Sequence, residues 1–174
     1  MEISAAAVKE LREKTGAGVM ECKRALQEAG GNMQKASQIL EEQGLLRAAK
    51  KEGRAAGQGV IDSYLHAGGR IGALVEVNCE TDFVARTPDF QRLAHDIAMQ
   101  IAATAPRYIA KGDVPPDDQN QADELALLAQ PFIKDAGVTI EELIKRNVAK
   151  LGEAIRIRRF TRFALGEEAI QAGE

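Results

Sequence analysis

The chain has 174 residues, 45% of them hydrophobic and 28% charged, with a formal net charge of −3. That profile belongs to a folded soluble protein of one ordinary domain, or a small module plus a moderate one, and excludes a disordered chain. The apolar runs are far short of a membrane span, the overall basic excess of a polyphosphate binder is missing, and Met1-Glu2-Ile3-Ser4 lacks the features of a secretory signal.

Aromatic residues make up 4% and Trp is absent, so the core has to be built from Ala, Leu, Ile and Val. The two cysteines, Cys22 and Cys79, show no paired spacing, which argues against a disulfide framework or a zinc site and for a reducing cytoplasm.

The first stretch predicts three short helices. Ser4 is an N-cap, with Ile3 and Val8 placed as a hydrophobic staple, and Val8 and Leu11 lie one turn apart on a buried face. Gly16 and Gly18 stop that helix. Val19, Cys22, Leu26 and Ala29 then recur at helical spacing and predict a second helix, ended by Gly30-Gly31. Asn32 caps a third helix with Ala36, Ile39 and Leu40 inward and Gly44 as its stop. The alanine-rich polar stretch from Arg47 to Gly57 reads as a partly helical linker with a solvated basic face.

A second module opens with a strand from Val60 to His66, turn chemistry at Ala67-Gly68-Gly69, and a strand from Arg70 to Asn78 with Ile71, Ala73, Val75 and Val77 on one face. Cys79 to Arg86 reads as a loop. Thr87 caps a helix with Pro88 at its first position, and Phe90, Leu93, Ala94, Ile97, Ala98 and Ile101 form its apolar stripe. Lys111 to Gln121 reads as a loop, and Asp123 to Ala129 as a short helix. Thr139-Ile140-Glu141-Glu142 is a capping box that starts a helix burying Leu143, Ile144, Val148 and Leu151. The last element, Ala154 to Leu165, reads as a strand that completes a three-stranded antiparallel sheet covered on one face by helices. The fold class is therefore α+β, divided into a three-helix module over 1–46, a linker over 47–57, a core over 58–166 and a tail over 167–174.

Three groups of residues invite a chemical reading. Gly16-Ala17-Gly18 follows no strand and lacks the Lys and Ser/Thr of a phosphate-binding loop. Cys79-Glu80-Thr81-Asp82, with His66 or His95 as base, would be a cysteine nucleophile; the plain reading is a thiol at a strand end in or near the core. The strand 154–163 interleaves arginines with Ile155, Ile157, Phe160 and Phe163, a pattern for RNA on a ribosome-associated factor; the plain reading is an amphipathic strand whose arginines are solvated or paired to acids. The corner Thr81-Asp82-Phe83-Val84-Ala85 sets Phe and Val beside Asp between a strand and a helix. Its Phe is either a core plug or a rigid apolar group offered to another protein.

The stretch from Val8 to Leu26, which contains Thr15-Gly16-Ala17-Gly18-Val19-Met20-Glu21-Cys22-Lys23, strongly resembles the opening of the elongation factor Ts family. Ala48-Ala49-Lys50-Lys51 and Tyr64-Leu65-His66-Ala67-Gly68-Gly69-Arg70-Ile71-Gly72 match that family as well. Val75 to Ala85 looks like its second signature, Gln130-Pro131-Phe132 matches, and Ile155 to Phe163 looks like its C-terminal strand. The resemblance spans nearly the whole chain.

The resemblance implies a ubiquitin-associated-like three-helix module, an α+β core and the translation GTPase EF-Tu as partner, in its GDP-bound and nucleotide-free forms. It implies a guanine-nucleotide exchange factor that displaces Mg²⁺ and promotes GDP release so that GTP can bind. No catalytic residue, cofactor or metal of its own is expected, and no direct nucleic acid or membrane contact. The family's contact with the GTPase domain carries over to Arg12, Val19, Met20 and Lys23; some relatives have Met where this chain has Val19. The loop that reaches the magnesium site carries over to Thr81, Asp82, Phe83 and Val84, and the contact with a second EF-Tu domain to His66. Most relatives have a longer helical stretch where this chain has 114–130. Self-association into a homodimer is left open.

Overall fold

A computed structural model of the chain describes residues 3–51 and 53–167. The fold is α+β, in two compact units: one draws on residues up to Ala55 together with Lys145–Ala154, the other on Ala56–Ile144 together with the chain from Ile155 on. Apart from Glu167, the tail expected over 167–174 lies outside the described residues.

The first unit begins with three helices, α1 (Ala5–Thr15), α2 (Val19–Glu28) and α3 (Met33–Ala49). Their apolar positions meet in one small core of Val8, Leu11, Cys22, Ala25, Leu26, Ala29, Ala36 and Leu40, with Ile3 packed against it. Ser4 caps α1 by accepting the Ala7 N–H at 3.2 Å, and Asn32 caps α3 by accepting the Lys35 N–H at 2.9 Å.

Cys22, Leu26 and Ala29 are buried, whereas Val19 at the start of α2 is half exposed. One expectation fails here. Gly44 does not end α3, which continues to Ala49. Gly44 is instead a small residue at a helix contact, where an added Cβ would stand 2.9 Å from the Ala149 Cβ. That neighbour belongs to α7 (Ile140–Leu151), the last helix among the described residues. The stretch Lys145–Ala154 groups with this unit, and Arg146 pairs with Glu41 at 2.9 Å.

The second unit is built on β1 (Gln58–Leu65), β2 (Ile71–Cys79) and β5 (Arg156–Ala164) in the order β1-β2-β5, all antiparallel. Gly68 and Gly69, at φ +86° and +66°, make the β1–β2 turn, a conformation that residues with a Cβ rarely adopt. One sheet face lies under α5 (Pro88–Thr104). Phe90, Leu93, Ala94, Ile97, Ala98 and Ile101 are buried on α5, facing Ala73, Val75 and Val77 of β2. Each large apolar side chain so buried contributes roughly 1.5–3 kcal/mol.

The stretch expected as a loop before residue 122 contains 3-10 turns at Lys111–Asp113 and Pro116–Gln121, and the short helix is α6 (Ala122–Leu125) followed by a 3-10 turn. A small hairpin, β3 (Pro131–Phe132) and β4 (Asp135–Thr139), is not evident in the sequence; Pro131 and Gly137 are poor strand formers. Thr139 and Glu142 exchange both capping-box bonds, at 3.0 and 3.2 Å, and start α7. Ile144 and Val148 are buried there as expected, whereas Leu143 and Leu151 are only half-buried.

Candidate functional site

The α1–α2 corner is set by short-range bonds. The Thr15 hydroxyl donates to the Leu11 carbonyl at 2.7 Å, and the Gly16 N–H donates to the Arg12 carbonyl at 2.8 Å. The Glu21 carboxylate accepts the Gly18 N–H at 3.0 Å and pairs with Arg47 of α3. The Arg47 hydrogen bond is the main reason the Glu21 carboxyl sits below its ordinary value; the Gly18 bond adds to it and burial opposes it. The corner therefore starts α2 in a fixed direction. Met20 projects into solvent at 74% exposure and Val19 at 50%, with Arg12 and Lys23 also exposed on the helices that carry them. This unit thus presents two apolar side chains and two cations without burying any of them.

The second candidate group lies where β2 ends. Thr81 to Ala85 is not a loop: Asp82–Ala85 form a short helix, α4, because the Thr81 hydroxyl caps it by accepting the Val84 N–H at 3.4 Å. The Thr81 carbonyl accepts the Ala85 N–H at 3.3 Å and the Cys79 thiol at 3.1 Å. Asp82 pairs with Arg86 at 2.9 Å, and Ala85 is buried underneath. At the far end the Thr87 hydroxyl donates to the Val84 carbonyl at 2.7 Å and accepts the Phe90 N–H at 3.3 Å. Val84 is half-buried and Asp82 exposed. The Phe83 ring is 84% exposed, so it is not a core plug.

His66 follows β1 on the glycine turn. Its N–H donates to the Ile71 carbonyl at 2.8 Å, and its side chain is exposed. Tyr64 lies between the chain's two histidines: its hydroxyl is 3.4 Å from His66 Nδ1, and its ring meets that of His95 edge-on at 5.8 Å. His95 in turn lies 3.4 Å from Asp62. Sequence reading missed this support because Asp62, Tyr64 and His95 come together only when α5 packs beside β1.

Cys79 is fully buried with its thiol on the Thr81 carbonyl, whereas both histidines flank Tyr64. The arginine strand is largely occupied by its own fold. Arg159 pairs with Glu76 at 2.8 Å, and the largely buried Arg162 donates to the Ala102 carbonyl at the end of α5 and binds Glu167. Asn78 first and then Arg159 hold the Glu76 carboxyl below its usual value. Among the described residues no three His, Cys, Asp or Glu side chains converge as a metal site, and no helix is long and apolar enough to cross a membrane.

The sequence reading also missed the open face of the sheet. Ile61, Leu65, Leu74, Phe163 and Leu165 are exposed there. The signal was available, since β1, β2 and β5 carry large apolar residues on both alternating faces.

Residues 2–123 match the family described as Elongation factor TS. The chain is 50% identical to an Elongation factor Ts of Synechococcus sp., over 96% of this chain and 70% of that protein. It is 49% identical to that of Coprothermobacter proteolyticus, over 96% of this chain and all of the relative, and 46% identical to that of Moorella thermoacetica, over 99% and all of the relative. These alignments run over 198, 197 and 202 residues, more than the 174 here, so the relatives hold positions that this chain lacks. The three-helix unit, the α5-covered antiparallel sheet and these matches together make the chain a member of the elongation factor Ts family.

Proposed function

We propose that Phe83 is a wedge that enters EF-Tu beside its nucleotide, disturbs the groups holding Mg²⁺ and so speeds GDP release. As an elongation factor Ts, the chain is a translation factor that exchanges guanine nucleotide on EF-Tu. Exchange needs no covalent step. It needs a chain that binds nucleotide-free EF-Tu more tightly than the GDP form, and by linkage GDP then weakens that complex by the same factor. In this reading Arg12, Val19, Met20 and Lys23 anchor the GTPase domain, His66 touches a second domain, and Thr81, Asp82 and Val84 frame the wedge. The protein works in the cytoplasm, where EF-Tu and the ribosome are.

The observation that carries this reading is the exposed Phe83 ring on a short helix whose two ends are hydrogen-bonded. Exposed aromatics on rigid supports are what interface hot spots are made of. Stopped-flow release of a fluorescent GDP from EF-Tu tests it. Phe83→Ala should slow release at saturating factor by roughly tenfold to a hundredfold, the range set by losing one hot-spot side chain. Release at the wild-type rate rejects the wedge.

A second copy of the chain is the occupant we infer for the open sheet face. A groove of about 520 Å³ runs past Leu65, Leu74, Phe163 and Leu165, and the Glu76–Arg159 ion pair lies farther along the same strands. A twofold axis through that face would stack apolar residues on their own counterparts, with the charges outside. We place the segment that the relatives have and this chain lacks between 114 and 130, close to where the family match ends at residue 123.

A further inference from the structure

We infer that Cys79 and Thr87 are positioning residues for Phe83, a thiol at one end of α4 and a hydroxyl at the other clamping the short helix that carries the ring. This rests on the wedge reading above. A helix of four residues does not hold itself together, because nucleation fixes several dihedral angles before hydrogen bonds repay them. The direction of an exposed ring on such a helix is therefore set by what grips its ends.

At the leading end the grip comes from the sheet. Cys79 is the last residue of the central strand β2 and is fully buried. Its thiol donates to the Thr81 carbonyl, the same oxygen that accepts the Ala85 N–H and so closes the turn of α4. At the trailing end the grip comes from α5. The Thr87 N–H and hydroxyl both donate to the Val84 carbonyl, at 3.0 and 2.7 Å. The same hydroxyl oxygen accepts the N–H of Phe90, whose ring is fully buried. Val84, next to Phe83, is thus bonded through one side chain to the best-packed helix of the unit. A ring held this way loses little freedom when it enters a pocket, and that preorganisation is what the clamp supplies.

The test uses the full chain and the same GDP-release assay, reading the rate at saturating factor separately from the half-saturating concentration. Thr87→Val keeps the side-chain shape and removes the hydroxyl bonds; Cys79→Ala removes the thiol. Each should lower the saturating rate by about tenfold, the factor that corresponds to one net hydrogen bond, with the half-saturating concentration unchanged. Thr87→Ser and Cys79→Ser, which can still donate, should exchange at close to the wild-type rate. In the free protein, Thr87→Val should speed amide exchange at Val84, Ala85 and Arg86 and leave Ile97 to Ile101 protected.

Wild-type rates for Thr87→Val and Cys79→Ala beside a slow Phe83→Ala overturn the clamp and leave the wedge standing. A wild-type rate for Phe83→Ala removes the wedge and the clamp with it. Should Thr87→Val also expose Ile97 to Ile101, the decision passes to Cys79→Ala against Cys79→Ser, where equal rates overturn the proposal.

Discussion

Leaving a Phe ring in water forgoes roughly 2–3 kcal/mol of burial, and Phe83 leaves 84% of itself there. That free energy is available to an interface, which is why the ring carries the functional reading. Glu21 shows the opposite behaviour, an exposed-looking acid tied into the fold by the Gly18 N–H and Arg47. Its carboxyl titrates below the ordinary 4.5 when folded, so folding favours the ionised form. The stability this gives is complete above the unfolded value and is lost as pH falls through the folded one. Acid titration of the folded chain should therefore weaken the α1–α2 corner below about pH 4.5, and Glu21→Gln should flatten that part of the stability curve. Circular dichroism melts at stepped pH give the comparison; parallel curves for the two proteins would refute the assignment. The pairing of Glu21 with Arg47, 26 positions away, was not legible in the sequence.

Among the elements, α5 does the most. Its apolar stripe covers the sheet, and Gln100, fully buried on the same helix, holds the segment from Gln130 to Ile133. Gln100 Nε2 donates to Gln130 Oε1 at 3.2 Å and to the Pro131 carbonyl at 3.1 Å, and its Oε1 accepts the Ile133 N–H at 2.9 Å. Thr104 donates to Gln130 Oε1 at 2.7 Å, and Gln130 Nε2 donates to the Glu124 carbonyl at 2.6 Å. The network is satisfied, so removing one member strands the others. Gln100→Leu should destabilise the chain by about 2 kcal/mol in denaturant titration and speed amide exchange in β3 and β4. An unchanged midpoint would show that these bonds contribute nothing net. The stripe of α5 was readable because it follows from helical period alone. Gln100 was not, because a Gln within such a stripe carries no signal of being buried until its partners 30 residues on are brought to it.

For the whole molecule the open sheet face matters most. Leu65, Leu74, Phe163 and Leu165 stand exposed together because the β1-β2-β5 order aligns them, with Gly72 opposite Phe163 and Leu65 opposite Gly72. If a second copy covers them, Phe163→Asp should turn a dimer into a monomer in sedimentation or light scattering at micromolar concentration. A monomeric wild-type chain under the same conditions would remove that reading. By itself the sequence determined the helix periods, the caps at Ser4, Asn32 and Thr87, the β1–β2 turn and the family, because each is written in neighbours or in a contiguous signature. Only the tertiary structure decided that Val19 is exposed, that Gly44 serves a helix contact, that Phe83 stays outside the core, and that Cys79 and Thr87 grip α4 from two different elements. Those outcomes depend on which surfaces remain after distant segments have packed, and no local pattern encodes that.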